Sequence, residues 1–109
     1  MASTLVLIRD LMFGSKVRAA ARAVGVEIEF AGSPAALAGK IADRLIVDLN
    51  QSGNLDAAIA WKGASADRRV IGFASHVDID TLNRARAAGI EQVMSNGQFS
   101  ASIDSILKG

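Results

Sequence analysis

Asp43-Arg-Leu-Ile-Val-Asp48 is a short apolar run with a carboxylate at each end, and Leu45, Ile46 and Val47 leave no polar position between them. A strand that is apolar on both faces belongs inside a sheet covered by helices on both sides. Val70-Ile-Gly-Phe73 has the same character. Outward from these two, Leu5-Val-Leu-Ile8 and Ile90-Glu-Gln-Val-Met94 read as further strands. Val26-Glu-Ile-Glu-Phe30 alternates, as a strand nearer an edge does. Between them lie stretches at helical spacing. Phe13, Val17, Ala20, Ala21 and Val24 share one helical face, with Lys16, Arg18 and Arg22 mostly on the other. Ser33-Pro34 is a hydroxyl cap followed by proline at the first helical position, and predicts a second helix with Leu37, Ala38 and Ile41 turned inward. A third helix is expected over Asn54 to Lys62, burying Leu55, Ala58 and Ile59. A fourth starts near Asp78 or Asp80 and buries Leu82 and Ala85; a fifth, Ser100 to Lys108, aligns Ile103, Ile106 and Leu107. Gly25, Gly63 and Gly89 stand where helices should stop. Strand then helix, five times over, predicts a (βα)5 doubly wound five-stranded parallel sheet forming one domain over residues 1–109.

Composition narrows the function. The 109 residues suit a single domain, and with 50% hydrophobic and 21% charged residues the chain can build a core. Twelve Lys and Arg against eleven Asp and Glu leave a net charge of +1, which gives no electrostatic footprint for nucleic acid or an acidic membrane. Without cysteine and with one histidine, the chain has no disulfide, no thiolate chemistry and no cysteine or multi-histidine metal site. Its apolar runs fall far short of the roughly 18–20 residues that span a bilayer. The opening MASTLVLIRD, apolar only from Leu5 to Ile8 and with no basic residue ahead, is not a signal peptide. A soluble cytoplasmic domain is expected.

In an open α/β sheet the chemistry collects at the carboxyl ends of the strands. Those ends are Arg9-Asp10, Asp48-Leu-Asn50, Ala74-Ser75-His76 and Ser95-Asn96-Gly97. Asp10 and Asp48 then share one edge. Two carboxylates there could hold Mg²⁺, a hard cation that takes oxygen ligands and keeps several waters. One of them could accept a phosphoryl group. The plainer reading makes Asp10 a helix cap and Asp48 the start of a polar loop. Ser75-His76 makes no nucleophile–base pair, because adjacent strand residues point apart and no third group is evident. Gly72 signals a close backbone approach to a packed helix. Leu11-Met-Phe-Gly14 is no phosphate loop, and Trp61 reads as half-buried packing.

These segments, in this order and spacing, resemble the response-regulator receiver family. Leu5-Val-Leu-Ile-Arg-Asp10 is similar to its first strand ending in acids, and Asp43-Arg-Leu-Ile-Val-Asp48 to the strand whose last residue is the phospho-acceptor. Val70-Ile-Gly-Phe-Ala-Ser-His76 and Ala88-Gly-Ile-Glu-Gln-Val-Met94 are similar to the fourth strand and the entry to the fifth. The resemblance implies a flavodoxin-like fold and a role in two-component signal transduction, with Asp48 as candidate acceptor and Asp10 and Asp48 as metal ligands. The departures are specific. Arg9 replaces the first acid of the metal-binding pair, Ala74 stands at the hydroxyl position with Ser75 one residue on, and Asn96 is nearest to the family's lysine. Arg9 could pair with Asp48 or Asp10 as a fixed cation in place of the metal.

The chain is therefore expected to be a degenerate receiver, a stand-alone regulatory module without efficient aspartyl phosphorylation, and not an enzyme. No resident cofactor is expected, and Mg²⁺ only weakly. Its partner is expected to be a protein: a kinase, an effector or a second copy of itself, docked on the face of the fourth helix, fifth strand and fifth helix. By position that face carries Leu82, Arg84, Arg86, Gln92, Met94, Ile103 and Ile106. With the sequence ending at Gly109, no DNA-binding domain is expected after it. Two alternatives are a phospho-accepting receiver using Asp48 with Mg²⁺, and a flavodoxin-like binder of a small ligand at the same strand ends. The latter lacks the aromatic residues that would stack on a flavin.

Overall fold

A computed structural model describes residues 3–109. Five strands, β1 (Thr4–Leu7), β2 (Ile28–Phe30), β3 (Arg44–Asp48), β4 (Arg69–Ala74) and β5 (Gln92–Ser95), form one parallel sheet in the order β2-β1-β3-β4-β5. The apolar strands sit in the middle, as their two-sided burial requires, and the alternating β2 lies at an edge. Helices α1 (Leu11–Val24) and α4 (Asn96–Lys108) cover one face; α2 (Asn54–Gly63) and α3 (Ile79–Ala87) cover the other. Strand alternation divides the core accordingly. Val6, Ile46, Ile71 and Phe73 meet Val17, Phe99 and Ile103, while Leu5, Leu45, Val47 and Val70 meet Leu55, Trp61 and Leu82.

Among the described residues four helices form where five were expected. The Ser33 hydroxyl does accept from Ala36 N at 3.2 Å, but the turn it starts is a single 3-10 turn, Ala35–Leu37. Gly39, at φ 81°, turns the chain away, so Leu37 is buried while Ile41 stays 68% exposed. Too few residues lie between Pro34 and Gly39 to propagate a helix whose nucleation is unfavourable. The expected fourth and fifth helices are thus α3 and α4.

Two further expectations, on Ile59 and on the start of the last helix, are corrected. In α2, Trp61 is buried beside Leu55 and Ala58 while Ile59 is exposed, and the indole donates Nε1–H to Lys40 O at 2.9 Å. Gly63 closes α2 without a left-handed cap, whereas Gly25 and Gly89 take φ of 75° and 89° after α1 and α3. The last helix begins at Asn96 rather than Ser100. Ser95 and Gln98 make a reciprocal capping box there, so β5 passes into α4 with no loop between.

Candidate functional site

Asp48 ends β3 on the α1/α4 side of the sheet and is 2% exposed. Its Oδ1 accepts from Asn50 N at 2.9 Å and from Asn50 Nδ2 at 2.7 Å. Asn50 is the centre of the site. Its Nδ2 also donates to Asn96 Oδ1 at 2.9 Å, and its Oδ1 accepts from Ser75 N at 2.8 Å. One carboxamide thereby ties the carboxyl ends of β3 and β4 to the first turn of α4. Beneath it, Asn54 Nδ2 donates to Asp48 O at 2.8 Å, and the buried Asn54 Oδ1 has no partner among the described residues.

The expected site residues are placed as follows. Asp10 is the N-cap of α1 and accepts from Phe13 N at 2.9 Å, in keeping with the plainer reading. Asn96 joins the cluster as acceptor, and Ser75 joins it through its backbone N–H. The Ser75 hydroxyl instead accepts from Val77 N at 3.4 Å. Ala74 is buried on the opposite face, among Leu82 and Ala85, and is no part of the site. Arg9 is exposed and makes no ion pair among the described residues, so the fixed cation over Asp48 or Asp10 is corrected. Gly72 accommodates Leu49, the residue between Asp48 and Asn50, rather than a helix. The partner face is corrected too: Leu82, Ile103 and Ile106 are core, Met94 is packed against it, and Arg84, Arg86 and Gln92 are the exposed members.

The sequence places Asn50 at the end of β3 but gives neither its bridging role nor a part for Asn54. The signal was present in Asp48-Leu-Asn50, because an aspartate readily accepts from the backbone two residues on. Nothing in the spacing says that the same asparagine reaches Ser75 and Asn96.

Burial pushes the Asp48 carboxyl above its ordinary range; the two Asn50 hydrogen bonds oppose this and the nearby Asp10 charge adds to it. A carboxylate with a raised folded pKa binds more protons folded than unfolded. Stability therefore falls as pH rises from the ordinary aspartate value through the folded one. Asp48→Asn keeps an oxygen for Asn50 and removes the buried charge. It is expected to raise Tm at pH 7 by a few degrees, with the gain vanishing near pH ~4; melting curves across that range check it.

For Mg²⁺ the strand ends offer two carboxylates, each with one oxygen already taken by a hydrogen bond. Asp10 Oδ1 serves the α1 cap and Asp48 Oδ1 serves Asn50. The described residues also contain no group of three or more Asp, Glu, His or Cys placed to hold a metal.

The fold is the flavodoxin-like fold of receiver domains. No protein-family model matches the chain, and no curated protein matches it. Among solved structures it is similar to the receiver domain of NtrX from Brucella abortus, at 16% identity and TM-score 0.79, over 96% of this chain and 94% of that one. It is also similar to the beryllofluoride-activated NtrC4 receiver domain dimer, at 17% identity and TM-score 0.70, over 96% and 95% of the two chains. A de novo designed Rossmann 2x3 fold protein matches as well, at 15% identity and TM-score 0.80, over 99% and 90%. Because a designed protein fits this backbone equally well, the likeness defines architecture and leaves function to the site. No helix among the described residues is long and apolar enough to cross a membrane.

Proposed function

We propose that this chain is a receiver-like regulatory module that works by binding a protein partner, without aspartyl phosphorylation. The carrying observation is Asn50. Its amide engages Asp48 Oδ1 and simultaneously holds Ser75 N and Asn96 Oδ1, so the strand ends are cross-linked by neutral groups. Phosphoryl transfer draws on a bound cation and positive charge to stabilise the charge that develops. Here the group hydrogen-bonded to Asp48 is an amide, and Arg9 makes no ion pair with it. The exposed Arg84, Arg86 and Gln92 of α3 and β5 remain as the polar part of a partner surface.

One observation favours the phospho-accepting alternative: Asp48 Oδ2 accepts no hydrogen bond from the described residues. Amide NMR spectra titrated with Mg²⁺ and then beryllofluoride, on the wild type and Asp48→Asn, separate the two readings. The expected result is no change at the strand ends. Shifts confined to Asp48, Asn50, Ser75 and Asn96 in the wild type, and lost in the variant, would establish a live acceptor.

A further inference from the structure

At the end of the sheet opposite Asp48, Arg44 of β3 and Arg69 of β4 are register partners. Partners on adjacent parallel strands project from the same face about 4.8 Å apart, and like charges so placed repel. Arg44 is also buried, at 6% exposure. Its guanidinium donates to Thr4 Oγ1 at 2.7 Å, Ile106 O at 2.6 Å and Leu107 O at 2.7 Å, all of them neutral acceptors. Neither arginine has a carboxylate within ion-pairing distance among the described residues. Glu91 lies in the same groove, but its carboxylate is held by Lys62 Nζ at 3.1 Å and by Val70 N at 3.4 Å. Desolvation, and after it the Arg69 charge, lowers the Arg44 pKa.

A buried cation beside a second cation, with no carboxylate at ion-pairing distance among the described residues, is a costly arrangement. It lines a groove of about 220 Å³ whose walls also include Glu91, Gln92 of β5, Ser105 of α4 and Gly109, so an anion there must sit on the arginine side, away from Glu91. We propose that this groove binds a phosphate group, free or carried on a small molecule. The Arg69 guanidinium makes no hydrogen bond among the described residues and offers its full fork. The Arg44 guanidinium retains N–H groups beyond the three bonds it makes. Two guanidinium groups match a dianion with several oxygens better than they match a carboxylate. A bound phosphate would bridge β4 to α4 and neutralise the Arg44–Arg69 repulsion. This site is separate from Asp48, and its test is independent of whether Asp48 is an acceptor.

Thermal melts and amide NMR with inorganic phosphate at constant ionic strength, on the wild type and Arg69→Gln, test the proposal. Arg69 is exposed, so the variant folds. Phosphate is expected to raise the wild-type Tm by about 5 °C at ten times Kd. It should also shift the amides of Arg44, Arg69, Gln92 and Ser105. Arg69→Gln should give no response, and in phosphate-free buffer should be at least as stable as the wild type. Equal rises in both proteins, or no rise in the wild type at tens of millimolar phosphate, would overturn it. A glycerol 2-phosphate arm distinguishes the sources: tighter binding of the ester marks a carried phosphate, and binding of inorganic phosphate alone marks the free ion.

Discussion

Arg44→Met, measured in phosphate-free buffer, is expected to lower the unfolding free energy by about 3 kcal/mol and Tm by roughly 15 °C. Three hydrogen bonds from a charged donor are lost, each worth about 1.5–3 kcal/mol, and their sum would exceed that figure. The offset is relief of an uncompensated buried charge beside Arg69, which methionine removes while filling much of the volume. The net stays unfavourable because the three acceptors lie on two different elements. Ile106 O and Leu107 O belong to the last turn of α4, whose carbonyls have no partner within the helix, and Thr4 belongs to β1. The guanidinium fork fits all three at once. Lysine is a point donor on a flexible stem, so Arg44→Lys should recover less than half of the loss. Thr4→Val added to Arg44→Met should recover about 1 kcal/mol, because it removes the buried hydroxyl left without its donor. Hydrogen exchange should quicken first at the end of α4. A loss below about 1 kcal/mol would show that water serves the helix end as well as Arg44 does.

What could be read in advance follows from where the information is local. Leu45–Val47 and Val70–Phe73 announce central strands because burial on both faces writes itself into consecutive apolar residues. Asp10 and Asp78 announce helix starts because a cap is a contact between near neighbours, and both accept from the residue three along. The second helix was misread for a related reason. Ser33-Pro34 carries a true start signal, but the stop at Gly39 comes before a helix can propagate. At the site, Asp48 was legible as the residue ending an apolar strand, yet its chemistry was not. The bonds from Asn50 to Ser75 and Asn96 span 25 and 46 residues, and no periodicity encodes them. That Arg9 pairs with neither carboxylate likewise depends on tertiary surroundings, where sequence position allowed it to face either. Arg44 carries no local signal in the sequence. Only the register that sets it beside Arg69, and the arrival of α4 above it, make it unusual.

Gly72→Ala is expected to destabilise the protein by about 2 kcal/mol, against the usual sign for this change in a strand. Alanine in a strand interior ordinarily restricts the unfolded chain and adds packing, a gain of up to about 1 kcal/mol. Here the added Cβ would lie 2.7 Å from Leu49 Cδ1 and 3.1 Å from Leu49 Cγ. Leu49 is 4% exposed in the cluster with Leu55 and Ala74, and its backbone N–H is fixed to Phe73 O at 2.8 Å. The side chain must leave its place, and the overpacking outweighs the propensity gain. Leu49→Ala alone should cost about 3 kcal/mol, because it opens a cavity. In the double variant the new methyl occupies part of that cavity, so the combined loss should stay near ~3 kcal/mol, a coupling of about 2 kcal/mol. Strictly additive losses would mean that Leu49 already has room to move. Leu49 stands between Asp48 and Asn50, so the single Gly72→Ala variant should also shift the Asn50, Ser75 and Asn96 amides while leaving those around Arg44 in place. That pattern would show that the packing beneath β4 sets the position of the Asn50 carboxamide, and with it the closure of the Asp48 site.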